Sequence, residues 1–402
     1  IFVSFTGSRA NQYGFTATPG PNGALFSGGL VFSEGFPTTP GAFQQDFKGG
    51  SDNQIGTDIG IMKFSPNGSQ RLYATYIGGR HNEYPHSLFS DPAGNLVVMG
   101  RSYSEDYPDT RGYTYSGKAC DIVVTKLNAT GSALIGSLRI GGDANDGVNI
   151  EDIQQSERYD NSTSLLRNYG DDSRSEVILD ASNNIYVAGQ TQSSNFPVTA
   201  GAFQTGFGGR QDGVVLKIDP TCNNILWASF LGGTGDDGAF VLDINPLTQV
   251  LYVGGGTTSK DFPKAGAGPM GSAYVGGQTD AFVSQISNNG STLMKSVYLG
   301  TGNADIIYGL KFDRKGFPYV MGVSRGGQWP VKNAAFSNAG SSQFVAKLEP
   351  NLSTFDYSTV FGSGSAKPNM SPVAFLVDRC ENVYISGWGG WISGNRGEKD
   401  PY

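Results

Sequence analysis

Carboxylates are the residues of this sequence whose spacing could do chemistry. Glu83, Asp146, Asp237 and Asp305 each fall five positions after a glycine that ends an apolar run, at Gly78, Gly141, Gly232 and Gly300. Gln12 and Lys367 stand at the corresponding places in the first and last runs. A second series, Asp58, Asp121, Asp212 and Asp280, opens segments such as Asp58-Ile59-Gly60-Ile61-Met62-Lys63 and Asp280-Ala281-Phe282-Val283-Ser284-Gln285. Hard cations want several oxygens, so calcium is the one cofactor these series could hold, and the adjacent Asp236 and Asp237 in a Gly-rich turn are its best candidates. The competing reading makes each acid an acceptor for backbone N–H groups of its own turn or of the next repeat. That reading is preferred, because one carboxylate per repeat is too few for a dedicated cage.

Other chemistries find less. The two histidines, His81 and His86, sit in a stretch rich in Gly, Asn and Pro and are expected to be solvated loop residues. Cys120, Cys222 and Cys380 are far apart without metal-ligand spacing, and an odd count cannot pair fully within the chain. No Gly-x-Ser-x-Gly elbow, phosphate-binding glycine loop or HExxH is present. A glycoside hydrolase or lyase would need two carboxylates about 5 to 10 Å apart, with aromatic platforms such as Trp388 or Trp391. That is the enzymatic alternative to a non-catalytic reading, which is preferred because the acids recur with the repeat.

The elements that must position these residues repeat about every 65 residues. An apolar strand ends in a glycine step, as in Thr75-Tyr76-Ile77-Gly78-Gly79 and Ser229-Phe230-Leu231-Gly232-Gly233. A polar hairpin turn then leads into a second strand, as in Asp180-Ala181-Ser182-Asn183-Asn184-Ile185-Tyr186-Val187 and Asp378-Arg379-Cys380-Glu381-Asn382-Val383-Tyr384-Ile385, with a weaker copy from Asp243 to Val253. Next come a loop ending in aromatic-Pro (Phe36-Pro37, Tyr107-Pro108, Phe196-Pro197, Phe262-Pro263, Trp329-Pro330) and the Asp-opened strand. Four short strands per repeat with no helical period predict an all-β fold, a β-propeller of four-stranded blades, six to seven in number and incomplete within this segment. A solenoid competes, but its repeats are usually shorter. Residues 1–402 are expected to form a single propeller with further domains outside the segment. One repeat departs from the rest: the interval from Gly142 to Asp180 is far longer than that from Gly79 to Asp91. The insertion, residues 143–176, carries Glu151, Asp152, Arg158, Tyr159 and Arg167, the candidate binding residues of a rim loop; a solvated loop without a role is the equal alternative.

The chain has 402 residues, of which 59 are Gly, and only 16% are charged against 12% aromatic. So many glycines suit turns and bulges between short strands and serve long helices poorly. With a net charge of −7 and no Lys/Arg-rich run, nucleic acid and anionic membrane surfaces are poor partners, and no stretch is apolar enough to insert into a bilayer.

The order Tyr-Leu-Gly-Gly, Asp-x-x-Gly-Asn-x-Tyr-Val-x-Gly, Ser-x-Asp-Phe-Pro, Gly-Ala-Phe-Gln and Asp-Ala-Phe-Val-x-Lys resembles the bacterial SBBP β-propeller repeat over nearly all of Phe5 to Trp391. Gly35 to Gln44 and Tyr384 to Trp391 look like segments of large Bacteroidetes surface proteins with type IX secretion, gliding-associated sorting domains. The resemblance implies an extracellular or outer-surface location. It also implies a role in adhesion, binding or assembly, with other surface proteins or glycans as partners, and leaves self-assembly into an extracellular filament as an alternative. It is specific for fold and weak for activity.

Overall fold

The computed structural model describes residues 6–50, 56–111, 119–147, 150, 165 and 176–389. The first sheet is made of β1 (Gln12–Pro19), β2 (Leu25–Val31), β3 (Asp58–Phe64) and β4 (Arg71–Ile77), and the second of β5 (Glu83–Ser90), β6 (Leu96–Ser102), β7 (Asp121–Leu127) and β8 (Leu134–Ile140). In the third, β9 (Asp146–Gly147) and β10 (Glu176–Leu179) both pair with β11 (Ile185–Thr191), and β12 (Asp212–Ile218) and β13 (Ile225–Leu231) complete it. The fourth contains β14 (Asp237–Ile244), β15 (Leu251–Thr257), β16 (Ala265–Gly266), β17 (Asp280–Ile286) and β18 (Leu293–Leu299), the short β16 lying parallel beside β18. The fifth is β19 (Asp305–Phe312), β20 (Pro318–Ser324), β21 (Gln343–Leu348) and β22 (Phe355–Phe361), and β23 (Met370–Val377) with β24 (Val383–Gly389) forms a two-stranded sheet.

Contacts divide the chain into two compact units, Ile1–Ile150 with Ser175–Pro197 and Leu216–Trp227, and Glu151–Arg174 with Val198–Val215 and Ala228–Tyr402. Within the first unit β1 packs on β5 and β5 on β10; within the second β14 packs on β19 and β19 on β23. Successive antiparallel meanders whose first strands pack side by side are propeller blades, so the chain is all-β and of the β-propeller class. The inner strands β3, β6, β7, β11, β12, β15 and β20 are buried along their whole length. Between the first two sheets Phe26, Ile61, Tyr73, Leu88, Val98 and Val123 form one apolar cluster.

The aromatic-Pro loops are pinned from inside. Phe36, Tyr107, Phe196, Phe262 and Trp329 are all buried. The Phe36 N–H donates to Tyr76 Oη (3.0 Å) and the Phe262 N–H to Tyr298 Oη (3.1 Å), while Tyr298 donates onward to the Ser259 carbonyl (2.8 Å). The fourth-strand tyrosine is therefore both wall and hydrogen-bond post for the loop of its own blade.

Two sequence expectations need correcting here. The hairpin of the fourth sheet turns on Asn245, whose Oδ1 accepts the Leu247 N–H (2.9 Å), and not on Asp243. Asn245 lies as far from Gly233 as Asp91 lies from Gly79, so the spacing is kept once the turn residue is an amide. His86 is a buried β5 residue and not a solvated loop histidine, because the strand already begins at Glu83 and bulges between Pro85 and Ser87.

Candidate functional site

The two carboxylate series meet in pairs. At each junction the acid that opens a third strand and the acid that opens the next first strand flank the glycine ending the fourth strand. A Cβ on Gly78 would collide with Asp58 and Glu83, and one on Gly141 with Asp121 and Asp146. On Gly232 a Cβ would lie 2.7 Å from both Asp212 Oδ1 and Asp237 Oδ2. Only glycine lets two carboxylates approach the backbone from both sides.

Both members of each pair take partners from the scaffold, while Oδ1 of Asp58, Asp237, Asp280 and Asp305 is buried without a hydrogen bond. The first-strand acids accept the N–H of the residue after the anchor glycine: Gly79 to Glu83 (2.9 Å), Gly142 to Asp146 (2.8 Å), Gly233 to Asp237 (2.8 Å) and Thr301 to Asp305 (2.6 Å). Hydroxyls complete them, Ser102 to Glu83 (2.6 Å), Ser193 to Asp146 (2.9 Å) and Ser259 to Asp237 (2.7 Å), with Thr191 donating to Asp146 as well. The third-strand acids take loop N–H groups: Lys48 to Asp58 (2.9 Å), Gly208 to Asp212 (2.8 Å) and Val275 to Asp280 (2.7 Å). Asp121 instead pairs with Arg139, whose Nε lies 2.6 Å from its Oδ2. Gln44 and Gln204, from the Gly-Ala-Phe-Gln segments, accept the Gly78 and Gly232 N–H groups at 3.1 and 3.2 Å.

Burial is the main force on these acids. It raises Asp58, Asp146, Asp237 and Asp305 to about 7, Glu83 to about 8, and Asp212 and Asp280 to about 6, the hydrogen bonds pulling back against it. In four of them the partner carboxylate adds to the rise: Asp58 on Glu83, Asp121 on Asp146, Asp212 on Asp237 and Asp280 on Asp305. At the fifth junction amides replace the acids, Gln343 hydrogen-bonding Asn369 at 3.1 Å. Lys367, placed there by counting from Gly362, does not occupy the position; the turn before β23 is longer than its counterparts.

Asp236 and Asp237 do not act together. Asp236 Oδ2 lies 2.6 Å from the exposed Arg210 Nη2, whereas Asp237 turns to Gly233 and Ser259. Among the described residues, no three His, Cys, Asp or Glu side chains gather where a metal could sit. Glu151, Asp152, Arg158, Tyr159, Arg167 and Trp391 lie outside the described residues, and Trp388 is a backbone position on β24. Cys120 and Cys222 are buried free thiols, Cys120 pushed up to about 11 by burial, and Cys380 is free and exposed.

Sequence reading missed a second repeated device, although both halves were in view. The hairpin-turn aspartate is closed by a lysine of the third strand of its sheet: Asp91 with Lys126 (2.9 Å), Asp180 with Lys217 (3.4 Å) and Asp313 with Lys347 (3.1 Å). The signal was an Asp and a Lys recurring at fixed places in the same repeat.

A groove of about 560 Å³ in the second unit is lined by Phe203, Gln204, Thr234, Asp261, Lys264 and Ser291. The Thr234 N–H and hydroxyl both donate to Asp261 Oδ1 at 2.9 Å, and the N–H bond leads in holding this exposed carboxyl below its usual range. Lys264 sits at φ +56, a left-handed conformation uncommon for a side-chain-bearing residue, next to the proline of its loop. Fixed acid, amine, amide and hydroxyl groups beside an aromatic ring can hydrogen-bond and stack a polar ligand such as a sugar.

No family model matches the chain, and no curated protein matches it. Among solved structures it is similar to a protein of unknown function from Dyadobacter fermentans, at 10% identity and a TM-score of 0.42 over 94% of this chain and 95% of that one. It is also similar to hydrazine synthase of Kuenenia stuttgartiensis (12%, TM-score 0.44, 96% of this chain and 75% of that one). A europium-containing methanol dehydrogenase is a third (9%, TM-score 0.41, 97% and 81%). No function is transferred from them.

Proposed function

We propose that this chain is a non-catalytic propeller module of a secreted or surface protein, working by binding or assembly. The observation that carries the reading is the fate of its acids. The carboxylates offered by the sequence recur blade after blade with the same backbone and hydroxyl partners, which is the pattern of a scaffold and not of one reactive centre. The SBBP-like repeats support an extracellular or outer-surface setting. Binding falls to exposed surface, and the groove of Gln204, Thr234, Asp261 and Lys264 offers one, with glycans as the ligand class that its polar groups and Phe203 suit. A glycan array probed with the chain and with Asp261→Ala and Lys264→Ala tests this. Binding to a defined glycan set that falls at least tenfold in either variant is expected; binding unchanged in both removes the groove. A deletion confined to residues 151–174, which keeps Asp146 and β10, tests the rim insertion in the same assay.

A further inference from the structure

The fourth sheet holds a gap that the repeat does not explain. The second residue of a sheet's first strand faces a second-strand residue across the ladder: Tyr13 faces Leu30, Tyr84 faces Arg101, Gly147 faces Gln190 and Ile306 faces Val323. In the fourth sheet both places are glycine, Gly238 facing Gly256. Neither has a positive φ, so the backbone does not require glycine there. Glycine inside a strand weakens it and marks a close approach by something else. Here the approaching group is Leu165, from the insertion between β9 and β10. A Cβ on Gly256 would lie 2.7 Å from Leu165 Cδ2 and 3.3 Å from Ile306 Cγ1, and Leu165 is only 6% exposed.

A second departure from the repeat faces the same leucine. The residue before the acid that opens the third strand is Thr57 in the first sheet and Thr279 in the fourth, and its hydroxyl donates to the carbonyl of the next first-strand acid, Glu83 (3.1 Å) or Asp305 (3.3 Å). In the third sheet the place belongs to Gln211, which is buried. Its Nε2 makes the equivalent bond to the Asp237 carbonyl (3.2 Å) and gives its other hydrogen to the Leu165 carbonyl (2.7 Å).

We propose that Leu165 is a latch, with Gly238, Gly256 and Gln211 as its built receptor, and that the insertion is a strap fastened to the propeller through it. The side chain fills the gap left by the two glycines, and the carbonyl fixes its register. Changes on two different sheets meet at one leucine, which a solvated loop would not need. A strap held at Leu165 has less conformational freedom to lose on binding than a free loop has, and the insertion's Glu151, Asp152, Arg158 and Arg167 would gain from that. The inference goes beyond the binding role above and does not depend on the groove.

The test is limited trypsin digestion of the intact 402-residue chain, following cleavage after Arg158, Arg167 and Arg174 by mass spectrometry. Cleavage that waits on opening follows the population of the open form. Leu165→Ala, which empties the gap, and Gly256→Val, which fills it with the residue that the fifth sheet carries as Val323, should each speed cleavage at least about tenfold. Leu165→Met, of similar volume, should stay within about threefold of the parent. An unchanged melting temperature separates a released latch from a damaged blade, and if Gly256→Val fails to fold, the Ala and Met variants at 165 still decide the matter. A parent cut as fast as Leu165→Ala overturns the proposal, as does a folded Gly256→Val chain cut no faster than the parent.

Discussion

Replacing Asp237 by Asn tests whether the paired carboxylates are held neutral by burial. Asp237 is fully buried, shares its junction with Asp212, and is raised from 3.8 to about 7, chiefly by desolvation. A folded-state value above the unfolded one means that its contribution to stability is fully present below about pH 4 and is lost as pH climbs through about 7. About three units correspond to at most ~4 kcal/mol at full ionisation, shared with Asp212 because the two titrate as a pair. Asparagine copies the neutral acid: its oxygen can still accept the Gly233 N–H and the Ser259 hydroxyl that Asp237 accepts at 2.8 and 2.7 Å. Asp237→Asn should therefore lie within about 1 kcal/mol of the parent at pH 4. Between pH 4 and 9 the difference should move in the variant's favour by up to ~4 kcal/mol. Urea unfolding followed by tryptophan fluorescence across that range gives the comparison. Parallel pH profiles for parent and variant would refute the reasoning. Asp121→Asn is the contrast, since it takes the carboxylate away from a buried Arg139 and should destabilise by about 3 kcal/mol at neutral pH, where Asp121 is charged.

Lys126→Met should cost roughly 3 kcal/mol by leaving the buried Asp91 carboxylate unpaired, and adding Asp91→Asn should restore part of it in the same urea assay. Gly232→Ala should lower the melting temperature sharply, because its Cβ would meet Asp212 and Asp237, whereas Gly302→Ala, with nothing within 4 Å of its Cβ, should change it little. Thermal unfolding in calcium and in EDTA should superimpose, since Asp236 and Asp237 take separate protein partners; a rise of several degrees with calcium would return these acids to a metal site.

Much of this architecture was legible because propeller blades are local. Apart from the short β9 and β16, strands pair in sequence order within a sheet, so the glycine steps, the Asp-opened strands and the turns such as Asp180 to Asn184 mark the sheet boundaries within one repeat length. Misreadings came where chemistry kept its place while the residue changed, as when Asn245 took over the turn from an aspartate, or where the count slipped, as at Lys367. His86 was misread because a bulge hides a strand among turn-like residues.

Contacts between repeats lay beyond the sequence. It determined by itself that the carboxylates come in two series, but not that Asp58 faces Glu83, or Asp212 faces Asp237, across one glycine. Nor did it join Lys126 to Asp91. A strand's period of two fixes which residues share a face, while the partner on the next sheet depends on packing angle and loop path. Those belong to the tertiary structure, and with them the buried acids and the hairpins closed at Asp91, Asp180 and Asp313.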